Sequence, residues 1–169
     1  MQNQTRIVIE NLSPQIDCGA YFIKRIVGQT IAVSADVFSD GHDIIECCVK
    51  FKHEADKNWQ EVRMVPKENE QWTATFKVEK QGLYSYFVEG WVDYALNWQH
   101  GTERKINDNQ YVKSELLEGA EYVKSVIEFA NDSEKEYLEK LVVYFTNESD
   151  YDKAIQEAMS PELHHIFKK

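Results

Sequence analysis

The residues of this chain that could do chemistry are concentrated between Tyr84 and His100, where aromatic side chains alternate with polar ones. Trp91 and Trp98 offer flat rings on which sugars can stack, and Asp93 lies between them in the sequence. Tryptophan is also enriched at protein interfaces, so the same corner is a candidate contact surface between domains. We therefore treat Trp91, Asp93 and Trp98 as candidate substrate-binding residues and expect them at an exposed or interfacial corner.

His42 is the fourth candidate, because it lies in a turn between Asp40 and Asp43 that could orient its ring. Stabilisation of that turn is the competing interpretation, since Asp side chains in turns bond to nearby backbone amides. His164 and His165 look like a ligand pair but are adjacent on a predicted helix. Adjacent helical side chains point about 100 degrees apart and do not converge on one ligand.

Motifs for catalysis are missing from the sequence. It contains no G-x-S-x-G elbow, no Walker loop, no dinucleotide-binding fingerprint and no H-E-x-x-H pair. The histidines have no C-x2-C partner pattern of the kind that binds zinc. We therefore predict no catalytic residue, no cofactor and no metal site in this chain.

Length and charge limit the classes of function. The chain has 169 residues, 43% of them hydrophobic, which is too short for a (β/α)8 barrel of about 250 residues. Its formal net charge is -10, and such a surface repels phosphate backbones and anionic lipids. We expect no nucleic-acid partner and no membrane partner.

Cysteine content and the N-terminus indicate a cytoplasmic, soluble protein. The three cysteines are an odd number and include an adjacent pair, Cys47 and Cys48, whose side chains would point to opposite faces of a strand. At least one of them is expected in the core. The first five residues are polar and lack the apolar region of a signal peptide. No run approaches the roughly 18 apolar residues of a membrane span.

The first part of the chain, residues 1–107, has the pattern of an immunoglobulin-like β-sandwich. Seven or so short strands are separated by turns about every ten residues, as expected for that fold. The predicted strands cover 6–11, 22–27, 31–37, 45–53, 59–65, 72–78 and 83–92.

Alternation within these strands predicts which side chains are buried. Trp72 shares a face with apolar residues and is assigned to the core. In the last strand Tyr84, Tyr86 and Val88 occupy the predicted inner face together with Val92. Trp91 is on the opposite face.

Residues 108–169 are predicted to be an α-helical segment, because apolar residues there recur at helical spacing. The first helix covers 112–130 and should pack antiparallel on a second one. Asn131–Ser133 resembles a helix stop followed by a new N-cap. A third helix covers 150–159, and Ser160 followed by Pro161 predicts the start of a short fourth helix. The fold class is thus mainly β with an α appendage.

Six short segments occur in an order that is found in a known family. They are Arg6–Asn11 with Pro14 and Asp17, Lys24–Gly28, Asp40–Asp43, Trp91–Asp93, Trp98–His100 and Glu115–Ala120. Together they resemble the amino-terminal region of the bacterial α-1,4-glucan:maltose-1-phosphate maltosyltransferases of the α-amylase superfamily. The resemblance covers essentially the whole chain.

This resemblance implies an enzyme that transfers maltosyl units from maltose 1-phosphate to α-1,4-glucans with retention at the anomeric carbon. In the family the two catalytic carboxyl groups belong to a downstream barrel, and neither lies in this chain. The barrel of the same polypeptide is the implied partner, and the sandwich with its helical insertion is implied to supply much of a homodimer interface.

The chain departs from the family at Cys18–Ile23, where a Gly-Gly-Arg-Phe-Pro type sequence is common. Any role tied to that arginine or proline is therefore not carried over. The helical part ends at Lys169, short of a segment that would return to the sandwich, and we expect a chain cut from a longer protein.

Two functions are weighed on this basis. The first is a non-catalytic accessory and dimerisation region of a maltosyltransferase, inactive alone. The alternative is a carbohydrate-binding module for α-glucans.

Overall fold

A computed structural model describes residues 7–169 as two compact units that divide after Val92. Strands come first and helices follow, so the predicted fold class, mainly β with an α appendage, is confirmed. Among the described residues, none of the helices has the length and apolar content needed to cross a membrane.

The first unit contains two antiparallel sheets. One has four strands in the order β1-β2-β6-β5 and the other has three in the order β4-β3-β7. The strands are β1 (Ile7–Ser13), β2 (Thr30–Ser39), β3 (Ile45–His53), β4 (Gln60–Arg63), β5 (Val65–Pro66), β6 (Gln71–Lys77) and β7 (Tyr84–Val92).

The core of this unit forms because β2 and β6 alternate apolar and polar residues in register. Val33 pairs with Ala74 and Ala35 with Trp72, and all four are buried. The indole Nε1 of Trp72 donates a hydrogen bond to a buried backbone oxygen, that of Val37, at 3.2 Å, so its polar atom is satisfied inside. The prediction that Trp72 is a core residue is confirmed.

The register of β7 against β3 fixes the inner face of the three-stranded sheet. Tyr84, Tyr86 and Val88 pack against the core as predicted. Cys47 lies in the same core cluster, and burial raises the pKa of its thiol to about 12. Cys48 points to the opposite face, and all three cysteines are free thiols.

The predicted strand over residues 22–27 is wrong. The segment has no strand structure, and Phe22, Ile26 and Val27 are exposed by 80%, 72% and 50%. The apolar run looked like a buried strand, but the chain already turns at a short 3-10 segment, Asp17–Gly19, and no strand pairs with it. Gly28, with a φ of +94°, then turns the chain into β2.

The predicted strand over 59–65 is two strands that belong to different sheets. β4 pairs with β3, whereas β5 pairs with β6. Met64 lies at the change of sheet, is buried, and donates its backbone N–H to Cys47 O at 2.9 Å. The buried Met64 side chain thus holds the chain in place where it passes from one sheet to the other.

The second unit contains five helices. They are α1 (Tyr94–Asn107), α2 (Lys113–Ile127), α3 (Asp132–Thr146), α4 (Tyr151–Ala158) and α5 (Pro161–Phe167). A second 3-10 segment, Glu148–Asp150, precedes α4.

The helix α1 corrects the element assignment for residues 94–107, which were predicted to continue the sandwich. Leu96, Gln99 and Thr102 are buried at helical spacing, a pattern that the dense aromatic residues of the segment obscured. The helix accounts for the difference between the division after Val92 and the boundary predicted after residue 107.

The other helix signals correspond to observed elements. The side-chain oxygen of Asn131 accepts a hydrogen bond from Glu134 N at 3.0 Å, and the backbone N–H of Asn131 donates one to the Glu134 carboxylate. The two bonds form a complete capping box at the start of α3. Ser160 caps α5 with Pro161 in its first turn, as the sequence predicted. The helices α2 and α3 pack on each other.

Candidate functional site

Trp98 lies in the core of the helical unit and is only 6% exposed. Its Nε1 donates to Glu115 O at 2.6 Å, and its ring packs near Phe145 and Phe167. The expectation that Trp98 belongs to an exposed or interfacial corner is therefore wrong. The reason is that the residue lies on the buried side of a helix that the sequence did not reveal.

Asp93 and His42 have ordinary structural positions. Asp93 is the N-cap of α1, and its Oδ1 accepts a hydrogen bond from Leu96 N at 2.9 Å. The carboxylate thus satisfies one of the free amides of the first helical turn. His42 is exposed in the bend after β2. Of the four candidates, Trp91 alone lies on a sheet surface.

Trp91 belongs to the outward side of the three-stranded sheet, which we call the outer sheet face. Its side chains come from β3, from β4 with the residue before it, and from β7, whose pairing places them side by side. The face consists of Glu46, Cys48, Lys50, Lys52, Trp59, Glu61, Arg63, Ser85, Phe87, Glu89 and Trp91.

Both indole rings on this face are in contact with cations. The Arg63 guanidinium carbon lies 4.5 Å from the centroid of the Trp91 ring. Lys52 Nζ lies 5.0 Å from the centroid of Trp59. Phe87 meets Trp59 edge-on, with the ring centroids 4.9 Å apart. These are the distances of cation–π and aromatic pairs, which fix side chains as well as attract them.

Ion pairs connect the remaining side chains of the outer sheet face. Lys50 forms an ion pair with Glu89 across β3 and β7. The Nε atom of Arg63 lies 3.7 Å from Oε1 of Glu61. Cys48 faces outward but is fully buried, because the neighbouring side chains of this face cover it. Burial raises the pKa of its thiol. The long aliphatic stems of charged residues commonly cover apolar surface in this way.

This arrangement suits protein contact better than sugar stacking. A sugar ring needs a free aromatic face, whereas one face of each indole is already in contact with a cation. Trp59 and Phe87 are still 42% and 39% exposed. Aromatic residues and arginine, both present on this face, are enriched at the centres of protein interfaces.

A groove of about 470 Å³ lies elsewhere in the same unit and was not predicted from the sequence. One wall is the irregular segment 14–27, and the other is the connection between β6 and β7 with the first residues of β7. Sequence reasoning missed this wall because it assigned residues 22–27 to a strand. The sequence shows only the apolar run that begins at Tyr21 and Phe22, and its exposure is visible only in the structure.

Tyrosine hydroxyls hold the walls of this groove in place. The Tyr86 hydroxyl donates to Pro14 O and so connects β7 with the irregular segment. The Tyr84 hydroxyl accepts from the backbone amides of Glu79 and Lys80 at 3.2 and 3.1 Å. Burial raises the pKa of the Tyr86 hydroxyl.

The turn before β7 is held by a buried histidine. The Nδ1 atom of His53 accepts from Ala55 N at 3.1 Å, so its Nε2 carries the proton and donates to Gln81 O, also at 3.1 Å. Glu54 accepts from Leu83 N at 3.1 Å. Two adjacent residues at the end of β3 therefore position this wall of the groove.

Across residues 7–169, His, Cys, Asp and Glu side chains nowhere gather in a group of three or more that could hold an ion.

Comparison with protein families gives a match over almost the whole chain. The sequence model of the family described as "Alpha-1,4-glucan:maltose-1-phosphate maltosyltransferase, domain N/S" matches residues 5–169. The match includes both the sandwich and all five helices.

Individual relatives carry the same description, alpha-1,4-glucan:maltose-1-phosphate maltosyltransferase. The protein of Methylacidiphilum infernorum is 33% identical over 142 residues, which are 83% of this chain and 21% of that protein. The protein of Chlorobaculum tepidum is 32% identical over 158 residues, 94% of this chain and 23% of that protein. The protein of Myxococcus xanthus is 34% identical over 125 residues, which are 72% of this chain and 19% of that protein. The chain spans about a fifth of the length of these curated relatives.

Proposed function

Because this chain belongs to the domain N/S family of the α-1,4-glucan:maltose-1-phosphate maltosyltransferases, we propose that it is the non-catalytic accessory region of such an enzyme. The observation that carries the proposal is the match of residues 5–169 to a domain that forms only about a fifth of the relatives. The maltosyl transfer itself is assigned to a catalytic barrel elsewhere in the same polypeptide, which is also the expected partner.

The accessory role that we propose is assembly into a homodimer, with the outer sheet face as contact surface. Trp59 and Phe87 would supply apolar area, while Arg63 and Trp91 form a preorganised pair that loses little side-chain entropy on binding. A stable interface of this kind needs about 1,200 Å² or more of buried surface. We further propose an immunoglobulin-like topology, since β1-β2-β6-β5 corresponds to the A-B-E-D sheet of that fold.

A cytoplasmic location is part of the proposal. It is supported by the free thiols, since Cys18 is exposed while Cys47 and Cys48 are buried without a disulfide partner. Proteins of oxidising compartments commonly use cysteines as disulfides.

Charge reversal on the outer sheet face tests the assembly role. In the full-length polypeptide, Arg63→Glu should weaken the dimer at least about tenfold, because it removes the cation over Trp91 and places a carboxylate beside Glu61. Lys67→Glu is the matched control, since it reverses an exposed charge at the turn between β5 and β6. Equal dimer affinity for wild type and Arg63→Glu would refute the assignment of this face.

The non-catalytic assignment has its own test. The 169-residue chain, incubated with maltose 1-phosphate and glycogen, should release no phosphate. Phosphate release above that of a heat-denatured sample, retained through further purification, would contradict the proposal.

Carbohydrate binding is the second candidate function. The relatives are described as acting on an α-1,4-glucan, and the groove presents exposed Tyr21 and Phe22. This candidate involves a different surface from the outer sheet face, so the two functions can be tested separately.

A further inference from the structure

The aromatic residues of the first unit fall into two classes with different chemistry. On the outer sheet face, Trp59 and Trp91 are each in contact with a cation. In the groove, Tyr21 and Phe22 are 64% and 80% exposed, and within the described part of the chain neither ring forms an aromatic pair or a cation–π contact. The free ring faces that a saccharide requires are therefore at the groove.

The polar groups of the groove are mostly hydrogen-bond donors without negative charge. Arg25 uses one nitrogen to donate to Lys24 O at 2.8 Å and keeps other N–H groups for a ligand. Gln15 and Gln81 add side-chain amides, which both donate and accept. No carboxylate lines the groove among the described residues, although the whole chain has a net charge of -10. Hydroxyl and ring oxygens of a neutral sugar match such a donor set.

The dimensions and rigidity of the groove also suit a small ligand. Its volume of about 470 Å³ lies within the range of roughly 300–1,000 Å³ of small-molecule sites. The wall near β7 is fixed by the hydrogen bonds of His53 and Glu54, and the Tyr86 hydroxyl connects it to the opposite wall. A site held in this way needs little ordering when the ligand enters.

We propose that this groove is a non-catalytic binding site for short α-1,4-linked glucose oligosaccharides, with Phe22 and Tyr21 as stacking residues and Arg25 as a hydrogen-bond donor. The proposal deepens the second candidate function, carbohydrate binding, and is independent of the assembly role.

The test is a titration of the isotopically labelled 169-residue chain with maltotriose, followed by amide chemical shifts. We expect saturable shifts at Gln81, Leu83 and residues of segment 14–27, with a Kd in the range of about 1 mM, as expected for a weak solvent-exposed site. Phe22→Ala should weaken binding at least about tenfold. Phe129→Ala is its matched control, because Phe129 is a phenylalanine of almost equal exposure, 81%, in the helical unit.

A second pair of variants tests the donor. Arg25→Gln should weaken maltotriose binding several-fold. The control Lys24→Gln removes a neighbouring positive charge that does not line the groove, so maltotriose affinity should stay unchanged. Inorganic phosphate, titrated alone, should cause no shifts at these amides.

Three outcomes would overturn the proposal. They are the absence of shifts at tens of millimolar maltotriose, equal weakening by Phe22→Ala and Phe129→Ala, and phosphate shifts at the same amides, which would indicate an anion site. None of them bears on dimer formation, because that depends on the outer sheet face and is measured on the full-length polypeptide.

Discussion

Replacing Gly119 with alanine is expected to destabilise the helical unit, although the same change usually stabilises a helix. Gly119 is buried in the interior of α2. Alanine is favoured over glycine in a helix interior by about 1 kcal/mol. An ideal Cβ at this position, however, would lie 2.6 Å from both Cε2 and Cη2 of Trp98 and closer still to Cζ2. These separations are far below van der Waals contact.

The indole ring cannot move away cheaply. Its Nε1 is bonded to Glu115 O, and Phe145 and Phe167 pack beside it with centroids 5.8 and 6.2 Å away. Overpacking of a filled core costs about 1–3 kcal/mol, which exceeds the gain in helix propensity. Because the clash is severe, we take the upper part of this range, about 2–3 kcal/mol, and subtracting the propensity gain of about 1 kcal/mol leaves a loss of about 1–2 kcal/mol in the free energy of unfolding of Gly119→Ala. Each kcal/mol lowers the Tm of a unit of this size by about 4–8 °C.

Gly101→Ala is the matched control for this prediction. Gly101 lies in the interior of α1, and a Cβ there would meet nothing within 4 Å. This variant should therefore gain about 1 kcal/mol of stability, the ordinary helix-propensity difference. The assay is urea unfolding of the helical unit followed by far-UV circular dichroism and by Trp fluorescence.

A double variant locates the cause of the effect. Trp98→Phe removes the six-membered ring of the indole, so Gly119→Ala should cost less in that background, with a coupling energy of about 1 kcal/mol or more. If Gly119→Ala stabilises the unit as much as Gly101→Ala does, the packing argument and the core assignment of Trp98 are both refuted.

Two further predictions concern a turn and an ion pair. Gly82→Ala should destabilise the first unit by more than about 1 kcal/mol in urea unfolding and shift the amide signals of the groove wall, because Gly82 has a φ of +140° and an added Cβ would lie 2.5 Å from Glu54 Oε1. The control is Gly41→Ala, where the added Cβ meets nothing within 4 Å, and its stability should stay within about 0.5 kcal/mol of wild type. Equal effects of the two variants would contradict the prediction. The hydrogen bond from Lys105 lowers the pKa of Glu115, so this pair contributes stability above the unfolded-state pKa and loses it as pH falls through the folded-state value. Lys105→Gln should raise the pKa of Glu115 in a carboxyl NMR titration and make stability less dependent on pH in the acidic range, and an unchanged pKa would refute the role of the pair.

Local signals predicted the fold well where a residue's environment depends on its near neighbours. Alternation identified the inner face of β7 because one side of that strand is buried in a core. The caps of α3 and α5 were predictable because Asn131 and Ser160 bond to amides three residues away.

The errors arose where distant partners decide the outcome. The apolar run at 22–27 resembles a strand, but strand formation also needs a pairing partner, and the structure provides none there. Trp98 looked like a surface residue because the helix that buries it and its contacts with α2, α3 and α5 are not visible in local alternation.

The same limit applies to the candidate sites. Alternation placed Trp91 on the outward face, but the cation above it comes from Arg63 on β4, a pairing set by the sheet. The groove depends on a hydrogen bond between Tyr86 and Pro14, which are far apart in sequence. Sites built from such long-range contacts require the structure.

The measurement that tests the central proposal most directly is the mass of the full-length polypeptide in solution, by sedimentation at micromolar concentration. A dimer that Arg63→Glu dissociates and Lys67→Glu leaves intact is the predicted result. A strictly monomeric wild-type polypeptide would contradict the role of this region in assembly.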